Sequence, residues 1–187
     1  MKKYKAILID PPWSYRDKAN AGNRGACYKY ETMPMETLKQ LPIGEKLAAD
    51  DACLFLWSTC PMLPEALEVM RAWGFSYRTV AFVWAKRNRK KLDGWFMGCG
   101  SYTRANPELC LLGIKGHPKR ASAAVHSIIE APVREHSQKP DEVRDRIVKL
   151  CGDVPRIEIF ARQRVEGWSS IGIGIDGKRI EDVLEGL

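Results

Sequence analysis

The feature that most constrains the fold is an alternation of short apolar runs with stretches of helical spacing. Ala6–Ile9, Ala52–Trp57, Thr79–Trp84, Leu109–Ile114 and Ile157–Phe160 each span four to six residues rich in large apolar side chains. Strands covered on both faces look like this. Between them, Pro34–Leu41, Pro61–Trp73 and Pro140–Leu150 read as helices. Each opens with Pro, whose missing N–H needs no partner in a first turn. Leu63, Leu67 and Met70 share one face of the second helix, and Val143, Ile147 and Leu150 one face of the third. Gly74 and Gly152 stand where helix-ending glycines belong. The pattern predicts an α/β fold, a mainly parallel sheet flanked by helices, in one domain over residues 1–187. That length supports one sizeable core rather than two. In such sheets ligands bind beyond the carboxyl ends of the strands.

At one of those ends, Ile7-Leu8-Ile9 runs into Asp10-Pro11-Pro12-Trp13. Two prolines fix the backbone and remove two N–H donors, leaving the Asp10 carboxylate and the proline carbonyls as a rigid edge of acceptors. Such an edge suits an aromatic amine: acceptors on both hydrogens turn the nitrogen lone pair toward a methyl donor. Trp13 adds a flat surface on which an extruded base could stack. The plainer alternative is a strand-ending turn with a packed tryptophan.

The charge balance agrees with an anionic partner. Thirty Lys+Arg against 23 Asp+Glu give +7, with a pI near 9.1, and nucleic acid is the commonest partner of such a surface. Lys86-Arg87-Asn88-Arg89-Lys90-Lys91 holds five basic residues in six, directly after a strand. Lys86, Arg87, Arg89 and Lys90 are expected to meet phosphates. Two long irregular stretches, Ser14–Met33 and Lys86–Asn106, are functional candidates by length alone. The first carries Arg16, Lys18, Arg24, Lys29 and Tyr15, Tyr28, Tyr30, and could close over a flipped base. His117-Pro118-Lys119-Arg120 adds basic surface without a specific role.

Other classes are disfavoured. No secretory signal is visible, because Asp10 cuts off the apolar run Ala6–Ile9. The longest apolar run, Ala52–Trp57, is far short of a membrane span. The six cysteines form no C-x-x-C pair and only three histidines exist, so no metal is expected. Cys53 and Cys110 lie in apolar runs as reduced core residues, which fits the cytoplasm. Gly172-Ile-Gly174-Ile-Asp-Gly177 spells a dinucleotide fingerprint, but only ten residues follow it, too few for the acid expected about 20 residues on.

The Asp-Pro-Pro-Trp turn resembles the signature of the MT-A70 family of N6-adenine methyltransferases. The likeness covers almost the whole chain, with further motifs in the family's order. They are Tyr30-Glu-Thr32-Met33, Leu54-Phe55-Leu56-Trp57, Trp73-Gly74-Phe75, Phe82-Val83-Trp84-Ala85-Lys86, the segment from Glu108 to Gly116, Arg134-Glu-His-Ser137-Gln-Lys139-Pro140, and Ile157-Glu158-Ile-Phe160-Ala-Arg162. The resemblance implies a Rossmann-like methyltransferase fold and S-adenosylmethionine as cofactor. It also implies transfer of a methyl group to adenine N6 in nucleic acid, with DNA favoured because the short bacterial and viral members are most similar.

By the same resemblance, Asp10, Pro11, Pro12 and Trp13 are the catalytic turn. Asp10, Ser137, Lys139, Pro140, Glu158 and Arg162 are the cofactor side, Lys139 meeting a carboxylate as a point charge. Trp13 and Tyr30 hold the adenine. Glu158 is a carboxylate inside a strand and so needs a partner; Arg162 is one candidate. One departure stands out: the family's polar Gly-Asn-Gln or Gly-Asn-Glu is here Gly172-Ile173-Gly174. Alternatives are an RNA adenosine-N6 methyltransferase, a non-catalytic nucleic-acid-binding partner subunit, and a cytosine-N4 enzyme, which Asp10 disfavours. A dimer, of two copies or with a partner subunit, fits as well.

Overall fold

The computed structural model describes residues 2–14, 32–89, 93–98, 100, 102–135 and 138–187. Among the described residues seven strands form one sheet: β1 (Tyr4–Ile9), β2 (Ala48–Ser58), β3 (Ser76–Arg87), β4 (Pro107–Lys115), β5 (Ile128–Pro132), β6 (Arg156–Ile159) and β7 (Ser169–Ile171). Their order is β5-β3-β4-β2-β1-β6-β7. β1 pairs in parallel with β2 and β6, β3 with β5, and β6 with β7. Among these strands only β4 runs against the rest, between β2 and β3. The five apolar runs are therefore all strands of a mainly parallel sheet, while β5 and β7 join at its two edges.

The helices are α1 (Met35–Gln40), α2 (Leu63–Ala72), α3 (Glu142–Cys151), α4 (Ile173–Asp176) and α5 (Ile180–Glu185). Pro34 precedes α1, and Pro61 lies in a 3-10 turn (Cys60–Met62) that leads into α2. Gly74 and Gly152 sit at φ +80° and +81°, a left-handed backbone that a Cβ would penalise.

Strand periodicity divides the core in two. Ile7 and Ile9 of β1, Leu54 and Leu56 of β2, and Ile157 and Ile159 of β6 face one side, packed with Leu38, Val69, Met70 and Leu184 from α1, α2 and α5. Leu8, Phe55, Trp57, Phe82 and Trp84 face the other, against Val143 and Ile147 of α3. Phe55 and Phe82 stack there, centroids 6.1 Å apart. This alternation aims Glu158, between Ile157 and Ile159, at α3. The reversal of β4 has a second consequence: its first residues, Pro107-Glu108, lie beside the carboxyl ends of β2 and β3, where Trp84 pairs with Glu108.

Candidate active site

Asp10 follows β1 directly. The next turn is closed by the Trp13 N–H donating to the Pro11 carbonyl (2.8 Å), and Met33 N–H donates to the Pro12 carbonyl (2.9 Å). The first bond makes a three-residue γ-turn. Each proline carbonyl thus already accepts one hydrogen bond and keeps one further lone pair.

The expectation for Trp13 needs correction. Its ring is 4% exposed, and its Nε1–H donates to the Trp57 carbonyl at 3.0 Å. It is core packing that anchors the turn to the end of β2, not a platform for a base. Sequence cannot tell which side of a two-proline turn the ring takes; the apolar end of β2 decides it.

Asp10 is gripped by a residue 129 positions away. Lys139 Nζ donates to Asp10 Oδ1 at 2.9 Å and Oδ2 at 2.8 Å. The same ammonium lies 3.2 Å from Glu108 Oε2, and Glu108 Oε1 accepts from Lys86 Nζ at 2.5 Å. The chain Asp10–Lys139–Glu108–Lys86 therefore alternates in sign. Its inner members are nearly dry, with Lys139 12% and Glu108 6% exposed at the side chain. Lys139 also sits 5.6 Å from the Trp57 ring centroid, and Lys86 5.0 Å from that of Trp84.

Burial pushes the Asp10 carboxyl up, and Lys139 offsets only part of that. Burial acts on Glu108 too, but Lys139 and Lys86 together outweigh it and hold it below the ordinary range. Lys139 loses solvation yet is raised by its two carboxylates, so it stays an ammonium. Glu108 is not among the expected site residues: it precedes the apolar run Leu109–Ile114, and only the extension of β4 back to Pro107 brings its carboxylate into the sheet.

Glu158 does have a partner, Arg144 of α3. The guanidinium grips both oxygens, Nε to Oε2 at 2.8 Å and Nη2 to Oε1 at 2.9 Å, and its Nη1 donates to Asp141 at 2.8 Å. Arg144 and Glu158 line a cleft of about 290 Å³ with Asp10, Gln138, Lys139 and Arg162. Pro140 is buried and its carbonyl accepts from Val143 N–H at the start of α3.

A second cavity, about 180 Å³, lies among Pro12, Met33, Phe160, Ile173 and Ile180. Phe160 lines both, and it has φ +59°, unusual for a residue with a side chain. Gly172-Ile-Gly174 does follow a strand and start a helix, but that helix, α4, has four residues. It is too short for a dinucleotide site.

The basic run divides. Lys86 points inward to Glu108, a correction to its expected phosphate role. Arg87 stays outward: it stacks on Trp95 (3.5 Å to the centroid) and donates to Glu130 at 2.7 Å. Arg89 pairs with Glu135 at 3.3 Å. Tyr30, Lys90 and Ser137 lie outside the described residues.

A mainly parallel α/β sheet with a charged cleft and an apolar cavity at its carboxyl edge is consistent with a Rossmann-like methyltransferase fold. The family model described as MT-A70 matches residues 4–174, and the chain belongs to that family. It is 33% identical over 203 residues to the type II methyltransferase M.MunI of Mycoplasma sp, covering 99% of this chain and 83% of that protein. It is 28% identical to the human N(6)-adenosine-methyltransferase catalytic subunit METTL3, covering 96% of this chain but 30% of that protein. The Drosophila melanogaster N(6)-adenosine-methyltransferase MT-A70-like protein is 28% identical, with 96% and 28% covered. The chain thus spans most of the Mycoplasma relative and under a third of the two animal ones. No helix among the described residues is long and apolar enough to cross a membrane.

Proposed function

We propose that this chain transfers the methyl group of S-adenosylmethionine to N6 of adenine in DNA, with Asp10 as the catalytic carboxylate. The observation that carries this reading is the position of Asp10: at a strand end, poorly solvated, held through both oxygens by Lys139, and lining the charged cleft. The donor set fits the cofactor. An amino-acid end finds Gln138, Arg162 and acidic side chains in the cleft, with the Lys139 donors engaged by Asp10 and Glu108 at its wall, and a nucleoside finds apolar walls beyond Phe160. Ser137 belongs to the same proposed set by resemblance.

When bound, the cofactor supplies an electrophilic methyl group on a sulfonium. Asp10 accepts hydrogen bonds from the amine, with the free lone pairs of the Pro11 and Pro12 carbonyls beside it. This orients the nitrogen and offsets the positive charge that develops on it. Partial desolvation makes the carboxylate act more strongly than it would in water. Its raised pKa also suits it to take the surplus amine proton. Lys139 fixes the rotamer of Asp10 and opposes its neutralisation. Arg87, Arg89 and Lys90 steer the nucleic acid, and Tyr30 belongs to the base side by resemblance.

DNA is favoured over RNA because the chain spans most of M.MunI but only a fraction of the relatives named for adenosine. The test is incubation with methyl-labelled cofactor and matched DNA and RNA oligonucleotides, then digestion to nucleosides. Label in N6-methyldeoxyadenosine is expected. Label in N6-methyladenosine alone would move the substrate to RNA, and label in cytosine or nowhere would overturn the proposal.

A further inference from the structure

The apolar cavity beyond Phe160 holds one group that the mechanism above does not use. Among the described residues lining it, only Glu181 is acidic; the others include Pro12, Met33, Phe160 and Ile173. Glu181 lies in the first turn of α5, and its Oε1 is 3.6 Å from Arg179 Nη2. Its Oε2 is buried and accepts no hydrogen bond from the described residues. A buried carboxylate oxygen without a donor is costly, and native structures keep few of them without a reason. Relief requires an O–H or N–H donor brought to that wall.

A nucleoside fits the rest of the cavity. Its base has two apolar faces for walls of Pro, Met, Phe and Ile, and its sugar carries a vicinal diol with two O–H donors. A carboxylate accepts both, and an acid on ribose hydroxyls is a recurrent solution in nucleotide sites. We infer that Glu181 recognises the ribose diol of the cofactor's nucleoside, oriented by Arg179. This rests on the reading that the cofactor is S-adenosylmethionine, and it makes Glu181 a binding residue remote from the chemistry.

The test is calorimetry on the full chain with S-adenosylhomocysteine and its 2′-deoxyribose analogue. The wild type should bind the riboside roughly 10- to 100-fold more tightly, the range expected for a hydrogen bond to a charged group. Glu181→Ala should lose most of that preference, weakening the riboside more than the deoxy analogue, which forfeits only its 3′-OH contact. Glu181→Gln, which keeps the shape and one neutral acceptor, should fall between. Variants that keep the full preference, or lose both ligands equally, overturn the inference. So does a wild type that binds both sugars alike. A wild type that binds neither overturns the cofactor reading itself and this inference with it.

Discussion

Replacing Lys139 with Met keeps the length of the side chain and deletes the ammonium between two carboxylates. In the wild type that charge sits 2.8 Å from Asp10 and 3.2 Å from Glu108, with 12% of its side chain exposed. Its loss leaves Asp10 facing Glu108 with burial and a like charge both acting against ionisation. Breaking a buried pair by removing one partner costs about 3–5 kcal/mol. Asp10 keeps 27% of its side chain exposed, and Lys86 still compensates Glu108, so the lower end, about 3 kcal/mol, is expected at pH 8. The sign of the pH dependence follows. In the variant, the folded pKa of Asp10 lies further above its unfolded value, so ionisation costs stability as pH rises through that window. Acidification restores it, and the gap between variant and wild type narrows toward pH 5. Urea unfolding of both proteins from pH 5 to 8.5 reads this directly. A loss below about 1 kcal/mol, or one that does not change with pH, would show that the Asp10–Lys139–Glu108 chain is not the coupled unit described here.

Three further outcomes are expected. Trp13→Phe, which removes the Nε1–H donor to the Trp57 carbonyl and part of the buried ring volume, should cost roughly 1–3 kcal/mol in thermal unfolding and leave the KM for nucleic acid within a few-fold; a stable variant with a strongly raised KM would return Trp13 to the base. Glu108→Gln should lose stability above the ordinary carboxylate range of about pH 4.3 and little below it, because a depressed carboxyl contributes above its unfolded pKa and that contribution fades as pH falls through its folded one. Equal losses at pH 3.5 and pH 7 in thermal scans would contradict that. Replacing Arg87, Arg89 and Lys90 with Ala should weaken DNA binding similarly on two unrelated sequences and flatten the log–log salt slope by roughly one unit per lost phosphate contact. A changed sequence preference at constant slope would assign this run to base edges instead.

Strand content was legible where a run was apolar on both faces and illegible where it was not. Ile128–Pro132 interrupts its apolar residues with Glu130 and ends in Pro, which only an edge tolerates, and Ser169–Ile171 is mostly polar. The reversed direction of β4 was also hidden, since periodicity carries no polarity; the lack of helical spacing in the sequence Lys86–Asn106 was its only trace. Asp10 and Lys139 were each legible as candidates, from a strand end and from a motif. Their contact was not, because it joins residues 129 apart through the packing of α3 on the sheet. The same holds for Arg144, which on sequence is one more charged residue of an amphipathic helix and in space is the clamp on Glu158. Trp13 shows the opposite failure: a side chain of the right chemistry beside the right residue, turned inward by a neighbouring strand.

The most direct test of Asp10 as the catalytic carboxylate is the single-turnover rate of N6-methyladenine formation on a DNA oligonucleotide, with cofactor saturating, in wild type and Asp10→Asn. Asparagine keeps the shape but loses the charge that offsets the developing cation and accepts the proton. The rate should fall by at least about 100-fold, the scale of losing one preorganised electrostatic group, while calorimetry still detects cofactor binding and the fold is retained. A rate within a few-fold of wild type would remove Asp10 from the chemistry and leave the turn as scaffold alone.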